Sequence, residues 1–160
     1  MSFFIKKISE ISMSELIRKK TRILGLDVGD KIIGISISDE RIKIATGLKS
    51  IKRTGIDKYF IAIAEYVKLY NIALIIFGWP LQTNGLPGEQ CQKTTNFIEK
   101  LSEHCNVDFV AWDERFSTKI VNNLMIEANM SRKKRKSAID QGSAVYILQG
   151  ALDFLNFHSI

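Results

Sequence analysis

The sequence predicts an α/β fold: a mixed five-stranded sheet, three antiparallel strands and then parallel ones, with helices on both faces. Three observations predict it. The hydrophobic pattern changes once in the first half of the chain, from the alternation of short strands to helical spacing near residue 56. Two continuously apolar runs follow, residues 73–77 and 107–112, of the kind covered on both faces in a parallel arrangement. Helical segments separate and follow them, which is the pattern of crossover connections.

Residues 1–21 form an N-terminal extension ahead of a single domain of residues 22–160. Phe4, Ile8, Ile11 and Leu16 suggest a short amphipathic helix there. Residues 23–28 read as a strand, apolar until Asp27, and Gly29, Asp30 and Lys31 make a turn. Residues 32–38 alternate, with Ile33, Ile35 and Ile37 on one face and Gly34, Ser36 and Ser38 on the other. Asp39, Glu40 and Arg41 turn into a third strand, residues 42–48, which completes an antiparallel meander. Ile56, Phe60, Ile63, Ala64 and Val67 then mark a helix.

The strand at 73–77 is broken by Gly78, Trp79 and Pro80, and a polar loop follows. Residues 89–104 read as a helix through Phe97, Ile98 and Leu101, and the strand at 107–112 ends in Asp113 and Glu114. Ser117 and Thr118 cap a further helix carrying Val121, Leu124, Met125 and Ala128. A basic stretch, residues 131–136, leads into a last helix from about residue 138 to 155. Right-handed crossovers prune the topologies, and the ribonuclease H-like arrangement is the natural candidate.

At 160 residues the chain suits one domain. Its formal charge of +6, from 23 basic and 17 acidic residues, favours an anionic partner such as nucleic acid. No stretch approaches the ~20 apolar residues of a membrane span. The N-terminus lacks the apolar segment and cleavage site of a secretory signal, and Glu10 and Glu15 argue against an acid-poor transit peptide. Cys91 and Cys105 form no CxxC pair, and His104 beside Cys105 lacks the further ligands of a zinc site. A cytoplasmic protein, monomer or homodimer, is the expectation.

Three positions put a carboxylate where folding alone prefers an apolar or neutral group. Asp27 follows four core-like residues; it needs a cation or hydrogen-bond donors, and the following turn is one source of donors. Asp113 and Glu114 repeat this at the end of residues 107–112, and both strand ends open on one edge of the sheet if the strands are parallel. Strand alternation turns only one of the two inward, and Glu114 is favoured; pairing with Arg115 is the alternative. Asp140 stands four residues before Ala144 on the apolar stripe of the last helix, so it faces the sheet.

Such a cluster, with no His or Cys, suits Mg²⁺ or Mn²⁺, and two such ions would support phosphodiester hydrolysis. Lys31 and Arg115 are candidate phosphate contacts, or else ion-pair partners of the acids. Arg132, Lys133 and Lys134 head the basic run, either as a solvated surface or as a nucleic-acid contact through counterion release. Trp79 stacks on a base or is a core or loop-anchoring aromatic.

Four segments carry a resemblance: GLDVGDKIIGISISD (25–39), GWPLQTNGLPGEQ (78–90), WDERFST (112–118) and IDQGSAVYILQGAL (139–152). In this order they resemble the YqgF family, also called RuvX, named for Holliday junction resolution and for pre-16S rRNA cleavage. The resemblance implies a ribonuclease H-like fold and metal-dependent nuclease activity, with catalytic acids at Asp27, Glu114 and Asp140. It also implies 5′-end trimming of the small-subunit rRNA precursor, with cleavage of branched DNA or nucleic-acid binding alone as rivals. Departures from the family pattern are Ile32 where an Arg usually follows the lysine, Trp79 before the proline, and Gly142-Ser143 in the last helix.

Overall fold

The computed structural model describes residue 3, residues 5–113 and residues 132–158, with residues 132–141 as backbone alone. Strands β1 (Arg22–Val28), β2 (Ile32–Ser38) and β3 (Ala45–Lys52) form the antiparallel meander. β4 (Ile72–Trp79) lies parallel to β1 on its other side, and β5 (Asp108–Asp113) lies parallel to β4. The sheet order is β3-β2-β1-β4-β5. This is the mixed five-stranded sheet that the sequence predicts. The helix expected from residue 117 lies outside the described residues.

Alternation sorts the strands into two cores. On one face Leu24, Leu26, Ile33, Ile35, Ile75, Phe77 and Phe109 pack against Phe60 and Ile63 of α2 (Lys58–Leu69) and Phe97, Ile98 and Leu101 of α3 (Glu89–Ser102). On the other, Ile23, Leu74, Ile76 and Val110 meet Ile147, Leu148, Ala151 and Leu152 of a long helix, Arg132–His158.

The N-terminal extension is docked on this body. It forms a 3₁₀ turn at Ile8–Glu10 and the short helix α1 (Met13–Arg18), rather than one continuous helix; the long helix is therefore α4. Lys6 pairs in parallel with Val110: its N–H donates to the Phe109 carbonyl at 2.8 Å and its ammonium meets Asp108 at 3.1 Å. Met13 enters the core beneath α4. The open edge of β5 is thereby covered at this point.

β3 runs on to Lys52 rather than ending at residue 48, and three further boundaries differ from expectation for a local reason. β3 begins at Ala45, not at residue 42, because Ile42 takes a left-handed backbone (φ 57°) in the β2–β3 turn, where it is fully buried. Asn156 of α4 donates to its carbonyl at 2.8 Å, and Asp39 accepts the N–H groups of Lys43 and Ile44 at 2.8 and 3.0 Å. β4 runs through Gly78 to Trp79, since Gly78 still pairs with Trp112; the strand stops at Pro80, which has no N–H to give a ladder. The last helix is already helical at Arg132, because Lys and Arg are good helix formers and the basic run continues the helix. Among the described residues no helix is long and apolar enough to cross a membrane.

Candidate active site

The edge at which the parallel strands β1, β4 and β5 end is organised by one close contact. Gly25 of β1 and Ser36 of β2 are paired neighbours on the face under α4. The Ser36 hydroxyl, fully buried, donates to the Ala144 carbonyl at 2.7 Å. A Cβ at Gly25 would lie 2.3 Å from the Ser36 Oγ and 2.8 Å from the Leu148 Cβ, so only glycine admits the helix this closely.

This contact fixes the direction of α4. Later in the helix, Gln149 accepts from the Ala45 N–H at 2.9 Å and donates to the Lys43 carbonyl, and Asn156 reaches Ile42. These partners lie at the β2–β3 turn, beside the start of β1, where the Ser38 Oγ accepts the Ile23 N–H. α4 therefore runs antiparallel to β1, and its first turns project toward the end of β1.

Asp27 lies on that same face, two residues past Gly25, half-buried. Two strand residues advance about 7 Å. From Ala144 back to residue 140 is one helical turn, about 6 Å in the same direction. The backbone of Asp140 thus stands one turn nearer to Asp27 than the Gly25–Ala144 contact. The side chain of Asp140 lies outside the described residues, as do those of Arg132, Lys133 and Lys134, whose backbone forms the start of α4.

Glu114 and Arg115 lie outside the described residues altogether. Asp113 does not. It pairs with Trp79, which packs with Phe77 into the α2–α3 core, so Asp113 belongs to the sheet face opposite Asp27. Trp112 has the other parity and packs edge-on against Phe154 of α4. The contacts of Trp79 are those of a core aromatic at the end of β4.

Lys31 is exposed in the β1–β2 turn. Its carbonyl accepts the Arg53 N–H at 2.8 Å, while the Arg53 guanidinium donates to the Gly29 carbonyl at 2.9 Å. Arg53 lies over the rings of Tyr59 and Phe97, 5.2 and 5.1 Å from their centroids. It braces the turn that follows Asp27, and sequence reasoning missed it. The signal available was register: with Lys52 paired to Ile32, residue 53 falls beside Lys31.

Of the three expected carboxylate ligands, Asp27 alone has its side chain among the described residues. Among the described residues no three His, Cys, Asp or Glu side chains come together, Glu114 and the Asp140 side chain lying outside that set. The in-sheet neighbours of Asp27 are Gly34 on β2 and, one step past the Leu26–Phe77 pair, Gly78 on β4. Both in-sheet neighbours are thus glycines, and carboxylate oxygen is what Mg²⁺ or Mn²⁺ prefers.

A family model described as RuvX, Holliday junction resolvase, matches residues 21–154. A protein of Bacillus cereus named "Putative pre-16S rRNA nuclease" is 46% identical over 138 residues, covering 82% of this chain and 98% of its own. One of Shouchella clausii with the same name is 42% identical over 134 residues, covering 82% and 94%. Among solved structures, a fowlpox virus resolvase in complex with Holliday junction DNA superposes with a TM-score of 0.53 at 15% identity, over 84% of this chain and 99% of that one. Thermus thermophilus RuvC with a Holliday junction substrate gives 0.52 at 12% identity, over 87% and 98%. At these identities the two structures speak to the fold alone. It is the fold that the meander and crossovers predict.

Proposed function

The chain belongs to the RuvX family of Holliday junction resolvases, and from that premise we propose that it is a divalent-metal-dependent nuclease trimming the 5′ end of the small-subunit rRNA precursor in the cytoplasm. One observation carries the placement of the chemistry. The Ser36–Ala144 bond over Gly25 aligns α4 against β1 so that Asp27 and the Asp140 backbone advance toward the same edge by similar distances.

Asp27, Glu114 and Asp140 are the proposed ligands and catalytic acids. Glu114 is preferred to Asp113 because Asp113 falls on the sheet face opposite Asp27. Two bound Mg²⁺ or Mn²⁺ ions would supply an activated water and a stabilised leaving oxygen. The protein's own part is to hold the carboxylates in place and to position the phosphodiester. Lys31, Arg115, Arg132, Lys133 and Lys134 are the proposed phosphate contacts, and their charge contributes affinity through counterion release. Arg53 holds the turn that carries Lys31.

The test incubates the purified protein with Mn²⁺ or EDTA on a 5′-extended small-subunit rRNA precursor and on a four-way DNA junction. The RNA is cut, cutting is lost in EDTA, and Asp27→Asn and Glu114→Gln abolish it, while Asp113→Asn retains it. Cutting of the junction alone would move the substrate to branched DNA, the activity for which the family model is named. Cutting of the RNA by rigorously purified Asp27→Asn protein would remove the proposed site.

A further inference from the structure

A second basic site lies around the corner of the same edge, on the α3 side. Asp30, Arg53, Tyr59, Lys93 and Lys100 line a cleft of about 290 Å³ between the β1–β2 turn and α3. Asp30 follows Asp27 by three residues, so their Cα atoms are at most about 11 Å apart. The cleft therefore adjoins the edge at which Asp27 stands.

Three features point to a phosphate ligand. Arg53 is held rigid by Tyr59, Phe97 and the Gly29 carbonyl, and among the described residues it has no carboxylate within ion-pair distance. A guanidinium fixed in this way loses little entropy when it binds an anion. Lys93 and Lys100 stand two turns apart on the exposed side of α3 and add two further cations, against the single acid Asp30. The one pairing in the group, Lys93 with Glu89, is 4.0 Å long and well exposed, too weak to neutralise the lysine. Tyr59, half-buried in the wall, adds an aromatic surface of the kind on which single-stranded bases stack.

We propose that this cleft binds the sugar-phosphate backbone of a single-stranded segment of the substrate, a short distance along the strand from the cleavage edge. The proposal rests on the nuclease reading above, and names where its strand runs after crossing that edge. A strand lying across the end of β1 passes the Gly29–Lys31 turn and continues into the cleft, with phosphates toward Arg53, Lys93 and Lys100.

The experiment compares the full-length protein with K93Q/K100Q and with K20Q/K68Q. The second variant makes the same change of net charge at the opposite end of β1, where Lys20 lies beside Asn71. Affinity for a short labelled single-stranded RNA is measured in EDTA, so that no cleavage intervenes, across roughly 50 to 200 mM salt. Losing two phosphate contacts lowers the slope of log affinity against log salt by about 1.4 in K93Q/K100Q, while K20Q/K68Q keeps the wild-type slope. Equal shifts in both variants would reduce the effect to net charge and overturn the proposal. A wild-type slope in K93Q/K100Q would overturn it too, yet leave the nuclease reading standing. Wild-type protein that neither binds the RNA in EDTA nor cuts the precursor with Mn²⁺ would refute both.

Discussion

Gly25→Ala tests whether α4 positions the site. The added methyl would meet the Ser36 Oγ at 2.3 Å and the Leu148 Cβ at 2.8 Å, where ordinary contact begins at 3.4 Å. Relief needs the helix to retreat by about 0.6 Å from Leu148, and the serine by about 1.1 Å, which breaks its bond to the Ala144 carbonyl. Overpacking of this kind costs about 1–3 kcal/mol. A buried hydroxyl deprived of its acceptor adds about 1–3 kcal/mol. The variant is therefore destabilised by about 2–6 kcal/mol, and its melting temperature falls by roughly 4–24 °C. Cleavage measured well below that temperature falls as well, since displacing a catalytic group by about 1 Å can cost 10²-fold.

A double-mutant cycle sharpens this. Ser36→Ala alone loses one hydrogen bond and costs about 1 kcal/mol, because the Ala144 carbonyl keeps its bond within the helix. In the double variant the worst clash is gone, so the combined loss is smaller than the sum of the two, with a coupling above about 0.5 kcal/mol. Circular dichroism during thermal and urea unfolding reads all four proteins. A Gly25→Ala melting temperature equal to wild type, or strict additivity, would refute the claim that the glycine exists to admit the helix.

Two further outcomes follow from the titrating groups. Burial raises the affinity of Asp39 for its proton, but the Ile44 and Lys43 N–H groups outweigh it and hold the carboxyl below the ordinary 3.8. A depressed folded pKa contributes stability that is present above the unfolded value and is lost as pH falls through the folded one. Asp39→Asn accordingly costs about 1 kcal/mol near neutrality, and the gap closes on acidification below pH 3.8; a gap constant with pH in urea titrations would contradict this. Burial pushes the Cys105 thiol up to about 11, so at pH 8 its thiolate fraction is about 10⁻³. Iodoacetamide labels it more than about 100-fold slower in the native protein than after unfolding, and equal rates would show that the thiol is not buried.

Most of the sheet was legible because alternation and continuous apolar runs are direct consequences of one- or two-sided burial. β2 is the clearest case: its predicted faces, isoleucines on one side and Gly34, Ser36 and Ser38 on the other, are those that meet the α2–α3 core and α4. Where the reading slipped, tertiary contacts override local pattern. Ile42 looks like the first residue of a strand, yet its left-handed backbone survives only because Asp39 and Asn156 satisfy the turn around it. Neither partner is visible from a window of neighbouring residues.

The site divides along the same line. Asp27 stands out in sequence because a carboxylate ends an apolar run, and such a cost needs a reason. The choice between Asp113 and Glu114 is different: it depends on counting parity through the β4–β5 register, and Asp113 pairing with Trp79 removes it from the face of Asp27. Arg53 is further still from legibility. Its place depends on the bulged β2–β3 ladder bringing it to Lys31 and on rings from two helices meeting its guanidinium. Sequence exposes residues whose chemistry conflicts with their local setting. Arg53 conflicts with nothing nearby in sequence, so only the assembled fold shows that it joins the turn after Asp27 to the basic cleft on α3.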